Sequence, residues 1–169
     1  RQNRRILAAM ITALDRGIGE ILDAIDEAGI QDQTLVWFFS DNGGVGGIGD
    51  NRPLRGAKAT VFEGGIRVPA AVRWPGVIPT GGKTEEPLAY IDVFPTLIHL
   101  TGIENHGGKS LDGLDIWDVL TGRRNRLERE VYSYIGPDGE HHEQITYMTR
   151  EWKLIVTGPN VLDPYANAA

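Results

Sequence analysis

Apolar residues recur at three- and four-residue spacing from the start of the chain: Ile6, Leu7, Met10, Ile11, Leu14, Ile18, Ile21, Leu22 and Ile25. This rhythm predicts a helix over 5–28 with one broad apolar face, closed by Gly29. Gly17 and Gly19 inside it each cost about 1 kcal/mol against alanine, which predicts a neighbouring backbone passing close. Thr34 to Phe39 is a continuous run of apolar, β-branched and aromatic residues, the pattern of a strand covered on both faces in a parallel sheet. A short helix is expected over 57–63 and a second strand over Val68 to Trp74, stopped by Pro75-Gly76. Another helix follows from Asp92 to Leu100, with Asp92 as its cap, Pro95 in the first turn and Gly102 as terminator. Residues 114–121 add a short helix.

After Arg129 the period changes. Val131 to Ile135, Gln144 to Met148 and Trp152 to Val156 are three β-prone runs separated by turn residues, including Pro137-Asp138-Gly139. Their close spacing favours an antiparallel sheet. The fold class is therefore α/β, divided into an α/β part over 1–126 and a small antiparallel unit over 127–169, with no internal repeat.

Composition narrows the class. Hydrophobic residues make up 41% and charged residues 24%, as in an ordered globular protein. No apolar run approaches the roughly 20 residues of a membrane span. A net charge of −6 argues against nucleic-acid binding by broad phosphate neutralisation. The clusters Arg1, Arg4, Arg5 and Arg123, Arg124, Arg126, Arg129 read as solvated helix faces. Cysteine is absent, which removes thiol chemistry and disulfides. The chain begins with arginine and enters a helix at once, so it is expected to be an internal piece of something longer.

Two motifs invite misreading. Gly44 to Gly49 matches the G-x-G-x-x-G fingerprint and follows a strand, but Asp50-Asn51-Arg52-Pro53 offers no helix to hold a pyrophosphate. Gly107-Gly108-Lys109-Ser110 resembles the tail of a phosphate loop, yet it follows a helix and lacks a glycine at the required spacing.

The bend Ser40-Asp41-Asn42-Gly43-Gly44 is different. It lies at the carboxyl end of a buried strand, where ligands bind in open parallel sheets. Asp41 and Asn42 supply a charged and a neutral oxygen, a pairing suited to Ca²⁺ or Mg²⁺ rather than to zinc or copper. Taken alone, these residues most often make just a tight turn. Lys58, one of four lysines, lies near the start of the expected 57–63 helix, where an ammonium could neutralise a sulfate or phosphate oxygen. The remaining polar groups receive structural readings. His99 sits on the second long helix and His106 in a glycine-rich loop, without visible partners. Asp138 to Glu143 reads as a solvated turn, and Asp112, Asp115 and Asp118 as a cap and an exposed helix face.

Leu35 to Gly44 (LVWFFSDNGG), Asn51 to Pro69 (NRPLRGAKATVFEGGIRVP) and Val72 to Ile78 (VRWPGVI) resemble successive blocks of the formylglycine-dependent sulfatases, the arylsulfatase branch of the alkaline-phosphatase-like superfamily. Asp15 to Gly19, Ile91 to Leu97 and Leu111 to Gly113 fit the same family in the same order. The resemblance covers Ala8 to Val156. It implies part of an alkaline-phosphatase-like sandwich with a mostly parallel sheet, followed by a small antiparallel C-terminal sheet. It further implies that Asp41 and Asn42 are ligands of an active-site calcium (magnesium being possible), and that Lys58 binds a sulfate oxygen as the catalytic and substrate-binding residue. Arg55, Glu63 and Arg67, in the same block, are expected to form supporting ion pairs. The substrate implied is a sulfate-ester small molecule or sulfated glycan, in a periplasmic, secreted or lysosomal setting.

The family's nucleophile is a formylglycine made from cysteine or serine in a C/S-x-P-x-R motif. None of Ser40, Ser110 or Ser133 is followed by that proline and arginine. The formylglycine, and the aspartate pair completing the calcium shell, are expected upstream, in the other half of the protein. The chain reads as the C-terminal portion of a sulfatase, inactive alone. The alternatives are a fragment of a phosphomonoesterase or phosphodiesterase of the same superfamily, or a non-catalytic interaction module with a sulfatase-like fold.

Overall fold

A computed structural model describes residues 2–104, 107, 109–136 and 143–158. In chain order the elements are α1 (Gln2–Glu27), β1 (Val36–Phe39), α2 (Glu63–Ile66), β2 (Ala70–Arg73), α3 (Val93–Thr101), α4 (Trp117–Leu120), β3 (Val131–Ile135), β4 (Glu143–Met148) and β5 (Lys153–Gly158). Single 3₁₀ turns at Gln31–Gln33 and Tyr90–Asp92 lead into β1 and α3.

The apolar rhythm of α1 produces the helix that it predicts, and Gly29 ends it in a left-handed conformation (φ 66°). The stripe itself lies open: no residue of α1 is buried, and Ile6, Met10, Leu14 and Ile21 are each more than half exposed. Nothing lies within 4 Å of a Cβ built at Gly17 or Gly19, so the close backbone expected there is not present among the described residues. Contacts at its two ends hold α1. Arg4, expected to be merely solvated, donates to Ile48 O at 3.2 Å, and Arg73 pairs with Asp26 at 2.8 Å.

β1 and β2 pair antiparallel, from Val36 opposite Arg73 to Phe39 opposite Ala70. This differs from the parallel neighbour expected for β1. A continuous apolar run reports that faces are covered, not the direction of the strand alongside, and among the described residues β2 is the only partner of β1. Coverage is also incomplete, with Phe38 and Phe39 about two-fifths exposed.

Ile116, Val119 and Leu127 form the buried apolar cluster, with Trp37, Leu88 and Leu120 packed against it. The Trp74 and Trp117 rings lie 5.8 Å apart alongside α4. Asp92 is fully buried beneath this core. Its carboxylate accepts from Ala89 N at 2.8 Å and Leu114 N at 2.9 Å, and it pairs with Arg129. Asp92 therefore makes no side-chain cap on α3, contrary to the cap expected of it; the Ala89 N–H three residues before it, the distant Leu114 N–H and a guanidinium claim its oxygens instead. Arg129 is correspondingly only 4% exposed, and residues 123–130 form no helix. The solvated-face reading fails there because a buried carboxylate demands a counter-charge. Beside it, Glu86 accepts from Leu127 N at 2.7 Å and lies 2.9 Å from the Arg150 guanidinium.

The C-terminal runs pair as expected, in the order β3-β4-β5, all antiparallel. Alternation turns Tyr132, Tyr134 and Leu154 outward, while Thr146 and Lys153 face inward. The Pro137 to His142 turn, including all but the last residue of the Asp138–Glu143 stretch, lies outside the described residues, as does His106. No helix among the described residues is long and apolar enough to cross a membrane.

Candidate functional site

The bend after β1 is built by backbone meeting backbone. Ser40 N donates to Pro69 O at 3.1 Å, and Gly43 N to Gly65 O at 2.8 Å, tying the bend to α2 and to the segment just beyond it. A Cβ on Gly43 would lie 1.8 Å from Gly64 O, far inside van der Waals contact, so this crossing admits only glycine. Gly64 and Gly65 are themselves buried, and side chains there would strike Gly56 O and Thr60 O.

The glycine loop that follows folds back on itself. Asn51 acts as its clasp: Gly44 N donates to Asn51 Oδ1 at 3.0 Å, and Asn51 Nδ2 donates to Gly44 O at 2.9 Å and Gly56 O at 3.3 Å. Gly49 N bonds to Val45 O at 2.8 Å, and no helix follows before Glu63, so the dinucleotide fingerprint lacks its phosphate-binding terminus.

Lys58 N donates to Gly44 O at 3.0 Å, which sets the lysine's backbone two residues from Asn42 along the bend. The helix expected over 57–63 is displaced to Glu63–Ile66; residues 57–60 form a turn, closed by Thr60 N on Ala57 O. Lys58 thus stands on a turn rather than at a helix start. Ala59 is left-handed (φ 66°), a conformation costing a non-glycine residue about 1 kcal/mol or more and held here by the bonds on either side.

The three candidate side chains differ in surroundings. Lys58 and Asp41 are exposed, and among the described residues neither has a side-chain partner. Asn42 Oδ1 is buried and receives no hydrogen bond. A buried amide oxygen without a donor costs about 1–3 kcal/mol, and a cation would satisfy it. The donor set, one carboxylate and one amide oxygen, suits a hard dication. It falls short of the 6–8 oxygens that calcium takes, and no group of three or more His, Cys, Asp or Glu among the described residues could hold a metal. Asp41 and Asn42 therefore fit as part of a shell, not as all of it.

The neighbouring charges divide unevenly. Glu63 receives Lys153 Nζ at 2.7 Å and lies 3.8 Å from Arg67, which also approaches Glu85 at 3.9 Å. Among the described residues Arg55 makes no ion pair; its guanidinium lies 4.1 Å over the Phe62 ring. Arg52 and Arg67 line an open groove that shares Asn51 and Gly64 with the site. The Arg52 hydrogen bond to Asp50, at 2.7 Å, holds that carboxyl well below the usual carboxylate range. Elsewhere, His99 finds the partner that its sequence did not reveal: its Nδ1 lies 2.5 Å from Asp115, whose other oxygen receives Trp117 N. Asp118 pairs with Arg123 at 2.7 Å. Asn51, Gln144 and Lys153 are the supporting residues that sequence reasoning missed. For Asn51 the signal was a polar residue with turn propensity inside the matching block; the other two carried none.

Known proteins with this organisation are sulfatases. The sequence pattern described as Sulfatase matches residues 1–103, and that described as N-sulphoglucosamine sulphohydrolase, C-terminal, matches residues 57–161. Steryl-sulfatase of Rattus norvegicus is 40% identical over 129 residues, covering 71% of this chain and 22% of that protein. Steryl-sulfatase of Homo sapiens is 34% identical over 164 residues, covering 89% and 28%. The chain thus spans less than a third of the curated relatives it matches. The crystal structure of Ps i-CgsB in complex with k-i-k-neocarrahexaose superposes with a TM-score of 0.84 at 30% identity, over 97% of this chain and 36% of that one. These neighbours have the alkaline-phosphatase-like fold, which agrees with the α/β architecture and its small antiparallel C-terminal sheet. With the family pattern matched over more than half its length, the chain belongs to the sulfatase family.

Proposed function

We propose that this chain is the C-terminal portion of a sulfate-ester hydrolase, contributing Asp41 and Asn42 to a calcium site and Lys58 to the binding of the sulfate group. The observation that carries the reading is the buried, donor-free Asn42 Oδ1 on the bend after β1, with Lys58 hydrogen-bonded by its backbone to the same bend. Family membership favours a sulfate over a phosphate ester.

Asp41 and Asn42 would hold the metal from one side, the remaining oxygens coming from the upstream half of the protein. When bound, calcium neutralises charge on sulfate oxygens and orients the reacting groups. The nucleophile is the family's formylglycine, also supplied upstream, since no C/S-x-P-x-R motif occurs in this sequence. Lys58 brings a mobile ammonium to a sulfate oxygen and compensates negative charge as the S–O bond to the leaving group breaks. The glycine crossing lets the bend that carries Asp41 and Asn42 lie directly against the backbone of Gly64 and Gly65.

In the complete enzyme, Lys58→Ala is expected to lower kcat/KM for an aryl sulfate by about 10²–10³-fold with the fold intact. Asn42→Ala is expected to raise the calcium concentration needed for half-maximal activity. Unchanged turnover in the lysine variant overturns its assignment. The 169-residue chain by itself is expected to show no hydrolysis.

A further inference from the structure

The segment carrying Lys58 is gripped from the C-terminal sheet at two points. Val61, fully buried, donates its N–H to Gln144 Oε1 of β4 at 3.1 Å. Glu63 accepts a hydrogen bond from Lys153 Nζ of β5 at 2.7 Å, and this lysine side chain is only 16% exposed. The β4–β5 register sets Met148 opposite Lys153 and Gln144 opposite Thr157, so Gln144 and Lys153 lie near opposite ends of one ladder, on the face that also buries Thr146. Their contacts fall on residues 61 and 63, immediately before the Gly64-Gly65 crossing that supports Gly43. The turn at 57–60 contains a left-handed alanine and no apolar anchor of its own until Val61.

We infer that Gln144 and Lys153 are positioning residues: they fix the 57–66 segment against the C-terminal sheet and thereby hold Lys58 where a sulfate oxygen must meet it. This inference rests on the proposed role of Lys58 and assigns the sheet a task, although it supplies no group to the reaction. A misplacement of about 1 Å in a charge-stabilising group can cost about 10²-fold in rate, so a clamp three to five residues away suffices to matter. The contact is a mix of a shielded ion pair and a backbone bond, and both partners are remote in sequence, separated by 90 and 83 positions.

The test is a double-variant cycle on aryl-sulfate hydrolysis by the complete enzyme, combining Lys58→Ala with Lys153→Met. Lys153→Met is expected to lower kcat/KM by about tenfold or more when Lys58 is present and by less than about threefold when it is alanine, because residues acting through one another are non-additive. Lys153→Arg is expected to restore most of the rate. Hydrogen exchange across 57–66 is expected to quicken in Lys153→Met, and in Gln144→Leu, but not in Lys153→Arg. Full additivity, unchanged exchange in that segment, or a collapse of the melting temperature that accounts for the lost rate would each overturn the inference. If Lys58→Ala alone leaves turnover unaltered while exchange still quickens, the role of Lys58 fails and the clamp stands; the converse pattern separates the two the other way.

Discussion

Replacing Asp92 by asparagine removes the charge of a fully buried carboxylate. Its carboxylate receives Ala89 N, Leu114 N and the Arg129 guanidinium, and the side chain is wholly inaccessible. An amide keeps one oxygen for one of these donors and turns an NH₂ toward the others, setting donor against donor. Arg129, 4% exposed and already with its Nε unpaired, is left as an uncompensated buried cation. Breaking a buried pair from one side costs about 3–5 kcal/mol, a large share of the 5–15 kcal/mol that holds a typical domain together. Adding Arg129→Met to Asp92→Asn removes the stranded charge and is expected to recover at least about 1 kcal/mol. Urea unfolding followed by tryptophan fluorescence reads this directly, because Trp37, Trp74 and Trp117 all lie at or beside the same core. A loss below about 1 kcal/mol for Asp92→Asn, or a double variant no more stable than the single, would refute the reasoning.

Three further outcomes follow from geometry. Gly43→Ala drives a methyl onto Gly64 O and is expected to lower aryl-sulfate turnover in the complete enzyme by about 10²-fold, whereas Gly46→Ala, whose Cβ would meet only the Ala57 methyl at 3.5 Å, is expected to be nearly silent in the same assay. Gly17→Ala meets open space inside a helix and is expected to raise stability by about 0.5–1 kcal/mol in thermal unfolding; destabilisation would reveal a neighbour there. The Tyr147 phenol donates to Glu130 at 2.7 Å, which pushes its pKa up to about 12. Because the folded value lies above the unfolded one near 10, this contribution is whole below pH 10 and is lost as pH rises through 12. Tyr132, which also donates to Glu130, is raised as well, so phenolate absorbance should show late-titrating tyrosines, of which Tyr132 and Tyr147 move earlier in Glu130→Gln.

Much of this was legible from local pattern. The α1 stripe, the Gly29 and Gly102 stops and the three antiparallel strands each depend on neighbours within a few residues, and each appears where the pattern sets it. What escaped depends on distant partners. Asp92 reads as a cap because aspartate before a helix usually is one, but besides Ala89 N its partners are 22 and 37 positions away. Arg129 looked solvated for the same reason. The partner of β1 ran antiparallel because a strand's own residues do not encode its neighbour's direction. At the proposed site, Asp41, Asn42 and Lys58 are singled out by the chemistry of a strand-end bend and by the family resemblance. The backbone crossing of Gly43 on Gly65 and the contacts of Gln144 and Lys153 with residues 61 and 63 are not, since each joins residues remote from one another in sequence.

α1 is about 39 Å long at 1.5 Å per residue, and its greasy stripe lies bare along that span. Backbone bonding alone leaves a rod of this kind only marginally stable in water, since most helical stability in proteins comes from docking one face. A rod so little covered is the element expected to lose its ellipticity first on heating, ahead of the buried core.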